Sequence, residues 1–531
     1  MALIKCVHWC TEGVDLENYK NKKLPYIDQN ENGVPVLYVD GAPFLMIGGE
    51  LHNSSASSLT YMEKNVWPYL RDLHLNTVLL PVAWECVEPE EGCYEFSLVE
   101  GLLRQARKEN VKLVLLWFGL WKNGESFYIP GWMKEDYERF PRARYADGTP
   151  SETVTPFCPE AVEKDKRAFC RLMDYLHKED RDHTVIMIQV ENEIGFLKSD
   201  RDYGKEAEAY FSGEVPPLAA QLYQVTGTWQ EAFGEDAPEI FMAYYYAKAV
   251  ESIAAAGKNI YALPMYVNAW LEQHPDRPGI YPSGGPAAKL IPLWKAAAPT
   301  IDMISPDIYL PDFKDICESY SVKGNPLFIP EARRNAATAS NVFYAFGGLN
   351  ALGFSPFAVE DLLRDYGEQP DKAHLEELNI DADAFYYKET APYLIRSYQI
   401  LNEMMPQLIA YRGTDRMTAY IRISPNEKGC IIPMDTYDIQ LDYTGGGIGK
   451  TGSAGIIFKE KNAFYITGCN THFKILPKKG SNTFTGLYRY EEGRFENGVW
   501  KRERILNGDE VYDMSLKEMA ESRYVRVYVH Q

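Results

Sequence analysis

The sequence predicts an α/β protein, a (β/α)8 TIM barrel followed by a smaller all-β, sandwich-like domain. Three observations predict it. From about residue 34 onward, short aliphatic segments alternate with amphipathic helical ones, the pattern of βα units around a parallel sheet. The aliphatic segments number eight, which closes such a barrel. Beyond about residue 412 the hydrophobic period changes from helical to alternating. Residues 1–411 are therefore read as an N-terminal lead and the barrel, and 412–531 as the β domain.

In chain order the predicted strands are "FLMIGGE" (44–50), "NTVLLPVAW" (76–84), "VKLVLLWFG" (111–119), "TVIMIQVENE" (184–193), "IYALPMYVNAW" (260–270), "IDMISPDIY" (301–309), "PLFIPEA" (326–332) and "GFSPFAVE" (353–360). Segments such as "LTYMEKNVWPYLRDLHL" (59–75) and "AVEKDKRAFCRLMDYLHK" (161–178) repeat apolar residues every three or four positions and form the outer ring. A long helix over 383–411 closes the barrel despite its internal Pro392. Alternating runs follow, among them "YDIQLDY" (437–443) and "RYVRVYVHQ" (523–531). Between them, "GGGIGKTG" (445–452) satisfies G-x-G-x-x-G, but an extended pattern follows it where a phosphate cradle needs a helix, so it reads as a hairpin loop.

Composition excludes several classes. With 46% hydrophobic and 24% charged residues the chain is an ordinary soluble globular protein. Its 75 acidic against 55 basic residues leave a net charge of -20, which repels nucleic acid and anionic membranes. The first twenty residues have no apolar run of signal-peptide length, and nothing approaches a membrane span. Nine cysteines without a C-x-x-C pair argue against a disulfide framework or zinc knuckle, so a cytoplasmic location is expected. The nine histidines never pair at i and i+4, and a carboxylate-only magnesium cage of two glutamates would be poor, so neither metal nor cofactor is expected.

A barrel of this kind builds its site from the carboxyl ends of its strands. Strand four ends in Asn192 and Glu193, strand seven in Glu331. An ionised carboxylate closing a buried-type run is costly without a chemical reason. Two carboxyls on one rim are what glycosidic hydrolysis with retention requires, one as proton donor and one as nucleophile. Glu191 alternates with Glu193 and is read as pointing away, as a salt-bridge partner. Trp84, Trp117, Trp121, Trp132 and Trp270 cluster at strand ends and would offer apolar platforms to sugar rings. Glu50, His52, Asn268 and Glu360 also stand at strand ends and are candidates for binding sugar hydroxyls.

The motif "QVENEIG" resembles the acid/base strand of the clan A retaining glycoside hydrolases. The segment "NTVLLPVAWECVEPEEGCYEF" is similar to the second-strand region of the β-galactosidases of glycoside hydrolase families 35 and 42. "GGELHNSSASS", "LLWFGLWKNG" and "PLFIPEARRN" look like a bacterial subgroup with a β-rich C-terminal domain. The resemblance covers roughly residues 35–365. It implies Glu193 as acid/base, Glu331 as nucleophile, Asn192 as donor to the sugar 2-hydroxyl and Tyr309 as hydrogen-bond donor to the nucleophile. Two departures stand out: Trp117, Phe118 and Gly119 replace the Ala-Glu pair that ends strand three in many family 35 enzymes, and the family 42 four-cysteine cluster is missing.

The expected protein is a retaining exo-β-glycosidase, a β-galactosidase first, acting on terminal β-galactosides of oligosaccharides or small β-glycosides. Alternatives are β-glucosidase, β-mannosidase or α-L-arabinopyranosidase specificity, or a non-catalytic carbohydrate-binding protein, which two close glutamates disfavour. No nucleic acid or membrane partner is expected, and a homo-oligomer is compatible with the sequence.

Overall fold

The computed structural model describes residues 24–273, 277–364, 375, 381–434, 436–446, 450–479 and 484–530. The first twenty residues, where a leader was sought, lie outside this range.

Eight parallel strands close a barrel. They are β1 (Met46–Glu50), β2 (Thr77–Ala83), β3 (Lys112–Lys122), β4 (Val185–Asn192), β5 (Met265–Trp270), β6 (Met303–Ile308), β7 (Ile329–Ala332) and β8 (Gly353–Pro356). Each falls within or overlaps its predicted segment. The pleat sends alternate residues to opposite faces, and both faces are covered. On β3, Leu113, Leu115 and Trp117 pack outward against the helices, while Val114, Leu116 and Phe118 fill the barrel centre.

The larger outer helices include α1 (Ser97–Lys108), α2 (Pro159–Glu179), α3 (Ala237–Ile260) and α4 (Thr338–Gly348). Two predicted helices are broken by proline. Within 59–75 the helix widens to a π turn over Met62–Val66, because Pro68 has no N–H and its ring crowds the preceding turn. The closing helix is α5 (Thr390–Glu403) and α6 (Met405–Tyr411). Pro392 lies in the first turn of α5, where its missing N–H has no intrahelical acceptor to lose, and Pro406 opens α6.

From residue 417 the chain is two antiparallel sheets of six and four strands, whose shared core contains Ile439, Leu441, Phe464, Ile466, Phe473 and Val525. The glycine-rich segment is not a hairpin loop. It crosses from Tyr437–Tyr443 in the smaller sheet to Ala454–Glu460 in the larger, and its residues 447–449 lie outside the described range. Helix α4 seats the six-stranded sheet on the barrel so closely that a Cβ on Gly347 would come 2.5 Å from the Ile456 side chain. Where the two parts meet, buried Arg412 donates to the carbonyls of Pro35, Asn350 and Ala351. Among the described residues no helix is long and apolar enough to cross a membrane, and the buried cysteines Cys158, Cys317 and Cys469 are outside any disulfide.

Candidate active site

The carboxyl ends of the strands surround a cavity of about 560 Å³, lined among others by Lys122, Glu193, Trp270, Asp307, Tyr309 and Glu331. One carboxylate oxygen each from Glu193, Asp307 and Glu331 lies within 4.8 Å of the others. Closure makes this possible. Glu331 is paired in register with Asp307 on β6, and Trp270 on β5 with Asp307 in turn.

Glu193 follows the last residue of β4 with φ of 44°, in the left-handed region. It is held there from both sides. Asn268 Oδ1 accepts from its backbone N–H at 2.9 Å, and its carbonyl accepts from Gly124 N–H at 3.1 Å. Burial, and then the charge of Glu331, push its carboxyl up to about 7, against the pull of Lys122. Glu331 is raised by burial too, but Lys122 and a hydrogen bond from the Tyr309 hydroxyl to its Oε1 favour the charged form. The two glutamates therefore differ in surroundings: the charge of Glu331 adds to burial at Glu193, whereas Glu331 has a hydrogen-bond donor in Tyr309.

Asp307 is pushed well above the carboxylate range by burial and by the charges of Glu331, Glu193 and Glu50. Its Oδ2 accepts from Asn268 Nδ2 at 2.7 Å. The three clustered carboxyls have a spacing that would also admit a cation, but the chain supplies its own in Lys122, whose charge reaches Glu50, Glu193 and Glu331.

Several sequence candidates lie elsewhere. Trp84 and Trp117 are fully buried and face the helices, so neither is a sugar platform. Trp117 donates to Asp165 Oδ1 and Trp84 to Glu88 Oε2, both at 2.8 Å. The reason is parity: Val78, Leu80 and Val82 face outward on β2, and Trp84 continues their register. Trp121 is likewise buried outward, and Trp132 packs edge-on against Trp84 with its centroid 6.0 Å away. Of the five, Trp270 lines the cavity.

Glu360 belongs to a 3-10 turn beyond the end of β8 and is buried, its Oε1 accepting from His52 N–H and the Ser55 hydroxyl. It pins the loop after β1 and does not line the cavity. Asn268 is buried, its Oδ1 accepting from Glu193 N–H and its Nδ2 donating to Asp307, so it ties these two groups together behind the cavity wall. Glu50 is buried beneath the cavity beside Glu331, where burial and that neighbour's charge raise it well above the carboxylate range. Asn192 is fully buried, and its side-chain amide has no partner among the described residues. Glu191 does point away, but its neighbour is another acid, Asp165, and not a basic side chain.

Asp307 and Lys122 were missed. The signal was available in both cases, a charge near the carboxyl end of an apolar run: Asp307 in "IDMISPDIY" and Lys122 in "LLWFGLWKNG". His52 and Arg334 also reach the cavity wall, joined through Asp361 Oδ2 at 2.6 and 2.8 Å.

Residues 36–279 match the profile of glycosyl hydrolases family 35, and residues 394–517 match a domain of unknown function, DUF5597. Solved structures similar to the chain include the β-galactosidase of the psychrophilic Marinomonas ef1, at 12% identity and TM-score 0.45, covering 70% of this chain and 60% of that one. The β-galactosidase of Rahnella sp. R3 matches at 15% and 0.41, covering 59% and 50%. That of Bacillus circulans sp. alkalophilus matches at 10% and 0.48, covering 91% and 99%. The chain thus spans 60% and 50% of the first two. No curated protein matches the sequence.

Proposed function

We propose that the protein is a retaining exo-β-galactosidase that releases terminal β-linked galactose from oligosaccharides. The observation that carries this reading is the approach of Glu193 and Glu331, with carboxylate oxygens within 4.8 Å of each other. Retention by double displacement uses carboxyls about 5 to 5.5 Å apart, whereas inversion leaves roughly 6.5 to 9.5 Å for a water. In the first step Glu331 attacks the anomeric carbon while Glu193 gives its proton to the departing oxygen. In the second, Glu193 takes a proton from water, which attacks the glycosyl ester and frees Glu331. A Glu193 carboxyl held near 7 suits both duties at neutral pH. The unpartnered amide of Asn192 fits a donor to the sugar 2-hydroxyl, and Trp270 supplies an apolar wall.

A panel of nitrophenyl glycosides, followed by proton NMR, tests the reading. Hydrolysis of the β-galactoside with β-galactose as the first product is expected. Initial release of the α-anomer would overturn the mechanism, and turnover confined to another glycoside would overturn the sugar.

A further inference from the structure

Behind the acid/base strand, on the side away from the cavity, two carboxyls are buried together. Asp165 of α2 and Glu191 of β4 are both fully inaccessible. One oxygen of each flanks Gly119, where an added Cβ would stand 2.5 Å from Asp165 Oδ2 and 2.5 Å from Glu191 Oε1. Only glycine leaves room for the pair.

The donors are unequally shared. Asp165 accepts from Trp117 Nε1 at 2.8 Å and from Leu120 N–H at 3.0 Å. Glu191 accepts from Trp121 N–H at 2.7 Å through Oε2, while its Oε1 has no donor among the described residues. Among the described residues no basic group offsets either charge. Tyr246 of α3 packs its ring on Trp121 with centroids 5.1 Å apart, and burial keeps its phenol neutral. Two adjacent carboxylates without a cation are too costly to bury.

We propose that Glu191 and Asp165 share one proton, carried on Glu191 Oε1 and donated to Asp165, and that this acid pair is the latch that sets Glu193 in place. Burial and the charge of Asp165 push the Glu191 carboxyl well up, in keeping with that assignment. The latch acts over a short lever. Glu191 and Glu193 both have left-handed backbone, φ 63° and 44°, a strained conformation that persists only where surrounding bonds enforce it. Trp121 N–H on Glu191 is one such bond, and Asn123 N–H on Asn192 O and Gly124 N–H on Glu193 O continue the same seam between β3 and β4. Glu191 is thus a positioning residue that acts through Glu193.

This inference rests on Glu193 being the acid, so the test has one arm that needs activity and one that does not. In the first, Glu191→Ala and Glu191→Gln are compared with the parent on aryl galactosides with poor and good leaving groups. Misplacing a general acid should cost the Ala variant roughly tenfold or more in kcat/KM on the poor leaving group and under about threefold on dinitrophenolate, with Gln restoring activity to within about twofold. Equal losses on both leaving groups, or a Gln variant as damaged as Ala, would overturn the latch. The second arm follows Tm against pH. A folded-state proton on Glu191 contributes stability that is fully present below the unfolded carboxyl's range and is lost as pH rises above it, so Tm of the Gln variant should gain on the parent's by several degrees as pH is raised from the unfolded carboxyl's range. A constant difference would overturn the shared proton. A parent that cleaves no glycoside would refute the proposed function, and the second arm would still judge the acid pair.

Discussion

The hydroxyl of Tyr309, the residue that follows the last residue of β6, donates to Oε1 of Glu331 on β7. Asp307 and Glu331 are paired in register, so Tyr309, two residues beyond Asp307, stands at the rim beside Glu331. The Tyr309 ring is fixed there by stacking on Phe385, with centroids 4.9 Å apart and planes 11° from parallel. Because the donor favours the charged form, Tyr309→Phe should raise the Glu331 carboxyl and move the acid limb of the kcat/KM profile to higher pH. A lost hydrogen bond to a charged group is worth about 1.5 to 3 kcal/mol, or roughly ten- to a hundredfold in rate. An unmoved acid limb would show that the bond does not matter to the nucleophile.

Asn192 supports a second prediction. If its amide holds the sugar 2-hydroxyl, that bond strengthens as positive charge develops at the anomeric carbon. Asn192→Ala should lower kcat and kcat/KM together, by roughly ten- to a hundredfold, with little change in KM. The loss should shrink on a 2-deoxy substrate. A variant that mainly raises KM would place Asn192 outside the transition state.

Proton linkage at Glu193 has a definite sign. Its carboxyl rises from 4.5 to about 7 on folding. The folded state therefore prefers the protonated form, and the resulting stability is fully present below 4.5 and is lost as pH rises through about 7. Glu193→Gln, permanently neutral, should gain thermal stability relative to the parent across that window while losing turnover of poor leaving groups. The parent's alkaline limb on such substrates should fall near 7. A Tm difference independent of pH between the two proteins would contradict the burial of an ionisable Glu193.

Arg412 ties the end of α6 to the N-terminal segment and the barrel. Its guanidinium is buried against three backbone carbonyls, and among the described residues no carboxylate pairs with it. Its own carbonyl accepts from Asn30 and Asn32 Nδ2, each at 3.1 Å. Arg412→Met removes the donors and leaves the carbonyls unsatisfied, which should cost about 2 to 5 kcal/mol in urea unfolding. The proposed active site lies at the strand ends, so kcat of the folded variant should hold. A change in stability under about 0.5 kcal/mol would mean water replaces the guanidinium at no loss.

By itself the sequence determined the eight strands, because fully buried parallel strands are short continuous aliphatic runs and helices between them carry a different period. It also determined that Glu193 and Glu331 would share a rim, since both close such runs and a closed barrel brings every strand end to one face. Local pattern could not say what each side chain meets. Trp84 and Trp117 sit at strand ends as Trp270 does, yet pleat parity turns them to the helix layer. Asn268 and Glu360 carry hydrogen-bonding groups suited to a sugar, but strands and turns distant in sequence had already claimed them. The approach of Asp307 to the two glutamates, and of Asp165 to Glu191, joins segments tens of residues apart or more, and a carboxyl's proton depends on burial and neighbouring charge, which exist only once the chain has folded.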